Sequence, residues 1–152
     1  MNDTPILICY DGTDGSDRAI DAAAALFGPR RAIVLDVGPA VTPVESLALV
    51  ASAAPAAAFE ETNAADALSR ARAGAERARR AGFTAEARAE VASPTWQTIV
   101  DVAGELDAAV IVLGSRALND ARELLVGSVS HEVSQHAGRP VLIVPPSRAG
   151  GE

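Results

Sequence analysis

The chain has 152 residues, the length of one domain with a substantial core, and we expect a single domain over 1–152 with a folded core at about 5–145. The formal net charge of -7 argues against a nucleic-acid or anionic-membrane partner, because both attract basic surfaces. All 13 basic residues are arginine, which excludes a lysine phosphate loop, a Schiff base and a lysine general base. With no long apolar segment and no signal-peptide pattern, we expect a cytoplasmic protein.

Short apolar runs and helical patterns alternate along the first half of the chain. In order, these are a strand at Ile6–Tyr10, a helix from Asp14 or Ser16 to Phe27, a strand at Ala32–Leu35 and a helix from Ala64 to Ala78. The strand runs are continuous and rich in β-branched residues, which is typical of strands buried on both faces of a parallel sheet. Residues 42–60 are the least patterned stretch, and we interpret them as a variable loop that forms either a mobile lid or a short extra helix.

The second half continues the alternation. In order, these are a strand at Thr84–Val91, a helix from Trp96 to Leu106, a strand at Ala109–Leu113, a helix from Ser128 to Ala137 and a strand at Val141–Val144. The first of these strands alternates small apolar with charged residues, which favours a position at the edge of the sheet. Ser93 and Pro94 predict an N-cap followed by a first-turn proline. We expect residues 146–152 to form a flexible tail.

This order of elements predicts an α/β fold, a doubly wound parallel sheet with helices on both faces and right-handed crossovers. In such sheets a ligand binds beyond the carboxyl ends of the strands, where the chain switches direction. Three segments arrive at that edge, namely Asp11–Thr13, Asp36–Gly38 and Gly114–Arg116. The last of them opens a polar loop that reaches the start of a helix at Ser128.

The loop from Gly114 to Ser128 combines the features of a phosphate site. Backbone N–H groups at a helix N-terminus bind anions when glycines permit a close approach. Ser128 adds a hydroxyl donor, and Arg116 and Arg122 can neutralise phosphate charge. From the residues alone, plain turns at Gly114 and Gly127 with Ser128 as an N-cap are an equally good interpretation.

A longer pattern in this loop resembles a known family. Gly114-Ser115-Arg116-Ala117, nine further residues and then Gly127-Ser128 are similar to the nucleotide motif of the universal stress proteins, written G-x2-G-x9-G-[ST]. Residues 8–13 and 136–145 also resemble that family's first strand and its final helix-to-strand passage. The resemblance implies a five-stranded sheet in the order 3-2-1-4-5 and an adenine nucleotide as ligand, ATP or a related one, with Mg²⁺ as a companion of ATP.

The resemblance also implies a role for each matching residue. Asp11 and Val37 would hold the adenosine. The phosphates would lie against the loop and the start of the last helix, at Gly114, Arg116, Ala117, Gly127, Ser128 and Val129. The pattern departs from the family at Ala117, which stands where the motif has its second glycine. The family likeness further implies a homodimer through Val141–Val144, an apolar strand without the charges that usually guard a sheet edge.

No catalytic constellation accompanies these residues. The sequence contains no HExxH, CxxC or GxSxG pattern, and His131 and His136 are five residues apart on one helix and so cannot share a metal. We therefore expect a nucleotide binder with a stress-adaptation role and little or no catalysis, since slow ATP hydrolysis would lack a placed base. Two alternatives stay open: a structural or regulatory dimer with an empty pocket, and a cyclic-nucleotide binder.

Overall fold

Helices and strands alternate along the residues that the computed structural model describes, which are 3–40, 43–53, 56–115 and 128–146. The elements in chain order are β1 (Ile6–Cys9), α1 (Asp14–Phe27), β2 (Arg31–Pro39), α2 (Pro43–Ala51), α3 (Ala56–Arg80), β3 (Thr84–Ala92), α4 (Thr95–Glu105), β4 (Ile111–Gly114), α5 (Ser128–His136) and β5 (Val141–Val144). Each predicted strand and helix is present, although several boundaries differ from the prediction.

The strands form one sheet in the order β3-β2-β1-β4-β5, and every neighbouring pair is parallel. Ile8 of β1 lies opposite Val34 of β2 on one side and Val112 of β4 on the other. The predicted doubly wound fold and its strand order are therefore confirmed. β3 is an edge strand, as its charged alternation predicted.

Helices cover both faces of the sheet, and the two faces have separate apolar cores. On one face Ile6 and Ile8 pack against buried alanines of α1 and α3, such as Ala23 and Ala75. On the other face Leu7 packs with residues of α4 and α5 that include Ile99, Val102 and Val133. Because β1 lies in the centre of the sheet, its first three residues are fully buried.

β2 is longer than the sequence predicts, since it continues past Leu35 to Pro39. Asp36, Val37 and Gly38 therefore lie on the strand and not beyond its end. The buried Asp36 is accommodated because Arg70 of α3 binds its carboxylate. Gly38 permits a close approach of α3, since a Cβ at that position would lie 3.1 Å from the Asn63 carbonyl oxygen.

Two further segments differ from the expected pattern. Pro94 is the N-cap of α4 and not its first-turn residue, so Ser93 lies outside the cap.

The stretch 42–60 contains α2 and the first turn of α3. Of the two expected forms of this stretch, a mobile lid or a short extra helix, α2 corresponds to the extra helix. α2 exposes a stripe of apolar side chains, with Val44, Leu47 and Val50 all more than 70% exposed. In the expected tail, residues 147–152 lie outside the described residues.

The two edges of the sheet differ in chemistry. On β3, Arg88 pairs with Glu90 at 2.9 Å and with Glu105 of α4 at 2.7 Å. β5 carries only apolar side chains, and three of its four residues are partly exposed. Charged side chains on an edge strand oppose pairing with another chain. Of the two edge strands, β5 is the one whose own residues carry no such charges.

Two helical glycines give a matched test of how tightly α3 packs on the sheet. A Cβ on Gly74 of α3 would lie 2.6 Å from the Tyr10 ring and 2.8 Å from Val34, whereas one on Gly104 of α4 would meet no heavy atom within 4 Å. We expect Gly74→Ala to destabilise the fold by about 1–2 kcal/mol, because overpacking outweighs the gain in helix propensity. Gly104→Ala should stabilise it by about 0.5 kcal/mol. Urea unfolding measures both, and a Gly74→Ala protein as stable as the wild type would contradict the close packing.

Candidate functional site

A cavity of about 340 Å³ lies at the carboxyl ends of the central strands. This volume is within the range of small-molecule sites. Five of the predicted site residues line it, namely Asp11, Val37, Gly114, Ser128 and Val129. The remaining three, Arg116, Ala117 and Gly127, lie outside the described residues. The described candidates thus come together from the β1–α1 turn, β2, β4 and α5, although they are distant in sequence.

Three helices begin at this cavity. α1 contributes Gly15 and Ser16, α4 contributes Thr95, and α5 contributes Ser128 and Ser130. The first N–H groups of each helix have no partner within their helix, and the helix dipole places partial positive charge at the same end. The hydroxyl groups of Thr95 and Ser128 can act as further hydrogen-bond donors, whereas that of Ser16 donates to the Thr13 carbonyl at 2.8 Å. This arrangement can hold an anion without a cationic side chain, and none is present among the described residues of the lining.

Asp11 shapes the turn between β1 and α1. Its Oδ1 accepts hydrogen bonds from the Thr13 backbone N–H at 3.0 Å and from the Thr13 hydroxyl at 2.5 Å. Thr13 is in turn the N-cap of α1, where its Oγ1 accepts from the Ser16 N–H. Gly12 between them has a φ of +81°, a backbone conformation that favours glycine. The candidate ligand residue Asp11 is therefore also part of the structure that starts α1.

Gly114, the first glycine of the motif, lies where β4 touches α1. A Cβ at this position would overlap the Gly15 carbonyl and lie 3.2 Å from the Ser16 nitrogen. The next residue, Ser115, is buried, and its N–H donates to the Val144 carbonyl of β5 at 2.9 Å. Gly15 could not be recognised as part of the site from the sequence, because its partner Gly114 is distant in the chain. The start of the motif loop is thus held between α1 and β5.

Asp36 faces the cavity but is bound within the protein. Its side chain is 3% exposed, and Arg70 of α3 donates to it from Nε at 2.6 Å and from Nη2 at 3.3 Å. This hydrogen bond raises the pKa of Arg70 above its usual value. The forked geometry is that of a strong guanidinium–carboxylate pair. Sequence reasoning missed Arg70, since nothing local in α3 marks its partner on β2.

Neither Cys9 nor Tyr10 in the cavity wall is activated for chemistry. Burial raises the pKa of the Cys9 thiol, and the charges of Asp11 and Asp36 raise it further, so the thiol stays protonated at neutral pH. Burial also raises the pKa of Tyr10 to about 12, supported by the hydrogen bond that its hydroxyl donates to Asp17 at 2.9 Å. Both groups therefore act as neutral parts of the wall.

In the described part of the chain, no group of three or more His, Cys, Asp or Glu side chains is placed to hold a metal ion. His136 stacks on Trp96 of α4, with ring centroids 4.6 Å apart, on the surface that joins α4 and α5. None of the helices in the described ranges is both long enough and apolar enough to cross a membrane.

A family profile and an individual relative that match this chain belong to the same protein family. A sequence profile described as the Universal stress protein family matches residues 4–145. The chain is 34% identical over 144 residues to Universal stress protein YxiE of Bacillus subtilis (strain 168), an alignment that covers 91% of this chain and 97% of the relative.

Solved structures show the same fold. A structure of hypothetical protein MJ0577 matches with a TM-score of 0.76 at 20% identity, covering 98% of this chain and all of the other. A universal stress protein in complex with cAMP matches with a TM-score of 0.65 at 27% identity, covering 93% and 96%. Universal stress proteins from Archaeoglobus fulgidus with dAMP and from Arabidopsis thaliana with AMP share the fold at 22% and 16% identity, with TM-scores of 0.60 and 0.66.

The single tyrosine permits a direct test of the cavity wall. We expect the absorbance of the Tyr10 phenolate near 295 nm to appear with a midpoint at about pH 12. Because the folded pKa lies above the unfolded value of about 10, this group's contribution to stability is complete below pH 10 and is lost as the pH rises through 12. Asp17→Ala should lower the midpoint while leaving it above 10, since burial is the larger cause. A wild-type midpoint near 10 would contradict the buried, hydrogen-bonded hydroxyl.

Proposed function

Because the chain belongs to the universal stress protein family, we propose that its cavity binds an adenine nucleotide, with ATP as the specific ligand. The observation that carries this proposal is the convergence of three helix N-termini and several hydroxyl groups beside Asp11 and Val37. A cavity with this lining, at the carboxyl edge of a parallel sheet, suits a ligand that has an anionic end and a nucleoside end. The relatives solved with cAMP, dAMP and AMP support the adenine class.

We assign the two ends of the cavity to the two ends of the nucleotide. Val37, with Leu35 and Ile99 beside it, offers an apolar wall for the base, and the Asp11 carboxylate can accept hydrogen bonds from nucleoside donors. The phosphates would lie at Gly114 and at the start of α5, near Ser128 and Val129. The adjoining residues Arg116, Ala117 and Gly127 would complete this end. Mg²⁺ would enter with the phosphate oxygens of ATP as its principal ligands.

We further propose that the protein binds the nucleotide without rapid turnover. Phosphoryl transfer to water needs a group that orients or deprotonates the attacking water. In the described wall of the cavity, Cys9 is protonated and the Tyr10 hydroxyl is bonded to Asp17. The two carboxylates are engaged as well, because Asp11 accepts hydrogen bonds from Thr13 and Asp36 is bound by Arg70. The occupied state would then be a signal in stress adaptation, in the cytoplasm, where a lone cysteine stays reduced.

A nucleotide titration with a matched pair of aspartates tests this function. Asp11→Ala should weaken adenine-nucleotide binding by about 1.5–3 kcal/mol, roughly ten- to hundredfold, through the loss of a charge-assisted hydrogen bond. Asp14→Ala is the control, since Asp14 is an exposed first-turn residue of α1 that does not line the cavity. Isothermal titration calorimetry with ATP, AMP, cAMP and adenosine gives the affinities, and circular dichroism confirms that both variants fold.

The other outcomes of this titration are informative. Unchanged affinity in Asp11→Ala would remove Asp11 from the site. A clear preference of the wild type for cAMP over ATP would favour a cyclic-nucleotide binder. If the wild type binds none of the ligands, and none is released from the purified protein in mass spectrometry, a structural or regulatory dimer with an empty cavity becomes the better assignment.

We also propose that two copies pair through β5. The Pro140 carbonyl accepts a hydrogen bond from Ile111 of β4, and the Val144 carbonyl accepts one from Ser115, just after β4. Because backbone groups of successive residues alternate in direction along a strand, those of Ile143 point to the free edge. We expect light scattering to report a dimer at micromolar concentration and Ile143→Pro to convert it to a monomer, because proline removes an edge donor. Ala89→Pro on the opposite β3 edge is the control and should stay dimeric. A monomeric wild type would contradict the pairing.

A further inference from the structure

Arg70 lies outside the cavity but contacts two of its walls. Its guanidinium binds the Asp36 carboxylate of β2 through two hydrogen bonds, at 2.6 and 3.3 Å. Its aliphatic stem runs beside the β1–α1 turn, where Cδ and Cγ lie 3.6 and 3.9 Å from the position that a Cβ of Gly12 would occupy. One side chain of α3 thus joins the strand that carries Val37 to the turn that carries Asp11.

The charge of the cavity gives this contact a second consequence. Among the described lining residues the charged side chains are Asp11 and Asp36, and both are acidic. A carboxylate that is 3% exposed is poorly screened by solvent, so an unpaired Asp36 would repel a phosphate that enters the same cavity. Arg70 places a positive charge in direct contact with this carboxylate and cancels most of its field.

We infer that Arg70 is a positioning residue that adapts the cavity to phosphorylated ligands, because it neutralises Asp36 and holds the β1–α1 turn in place. The inference rests on the proposed adenine-nucleotide function and adds a determinant of selectivity to it. Removal of Arg70 penalises ligands in proportion to their phosphate charge, so that ATP suffers most, AMP less and uncharged adenosine least. A purely structural anchor would instead weaken all three ligands by a similar factor.

The test compares adenosine, AMP and ATP in calorimetric titrations of four proteins. Arg70→Met keeps an unbranched apolar stem beside Gly12 but removes the charge, and it should weaken ATP at least tenfold while adenosine changes less than threefold. Arg72→Met is the matched control, because Arg72 is exposed on the same helix and does not line the cavity. Its affinities should equal those of the wild type.

A variant of Asp36, the partner of Arg70, should shift the ratio of ATP to adenosine affinity in the opposite direction. Asp36→Asn removes the carboxylate charge with little change of shape, so it should raise the ratio of ATP to adenosine affinity above that of the wild type. A structural role for the pair predicts no such rise. This variant keeps the inference testable if Arg70→Met fails to fold.

The possible results separate the inference from the function on which it rests. Equal weakening of all three ligands in Arg70→Met, or an unchanged ATP to adenosine ratio in Asp36→Asn, overturns the role of Arg70 while the nucleotide function stands. A wild-type protein that binds none of the three ligands overturns both. Opposite shifts of the ratio in the two variants support the inference.

Discussion

The common direction of the five strands, β3-β2-β1-β4-β5, determines where this protein can hold a ligand. In a parallel sheet every strand ends on the same edge, and the helix that follows it starts there. α1, α4 and α5 therefore begin at one cavity between the strand ends. The position of the site is therefore a consequence of the sheet topology. The helix N-termini supply a positive electrostatic potential there, and the side chains modify it.

This origin explains how an acidic chain can offer a site to an anion. The net charge is -7, and no cationic side chain is found among the described residues that line the cavity. Long-range attraction therefore does not favour phosphates over the surface as a whole. Short-range hydrogen-bond donors can still attract a phosphate. Amide and hydroxyl groups in a partly enclosed cavity are already partly desolvated, so they lose little hydration energy when the ligand binds. Discrimination then depends on local charges such as the Asp36–Arg70 pair.

The sequence predicts the elements that depend on local pattern and misses those that depend on distant partners. Continuous apolar runs located four strands, the alternation of small apolar and charged residues located β3, and the polar residues after the strands located the edge where the cavity lies. Asp36 appeared to end β2, because an aspartate in a buried strand is costly unless a cation binds it. The cation is Arg70, 34 residues further along the chain, and no local feature reveals that they meet.

The cavity residues show the same division. Asp11, Val37 and Ser128 could be proposed because each matches a residue of the known family pattern, the first two after predicted strands and Ser128 at a predicted helix start. Tyr10 and Gly74 could not be paired from the sequence, since their contact depends on how closely α3 approaches the sheet. α2 was left open because residues 42–60 combine Pro43, Pro55 and runs of alanine without a clear helical pattern, and three apolar residues of α2 stay exposed.

Gly114 has a consequence for how such motifs change over evolutionary time. The glycine is required by the Gly15 backbone of α1, whether or not a phosphate lies beside it. A descendant that no longer bound nucleotide would still be selected to keep this glycine, since losing it would separate α1 from β4. Gly114 would therefore persist as a record of ancestry even where the protein no longer bound nucleotide.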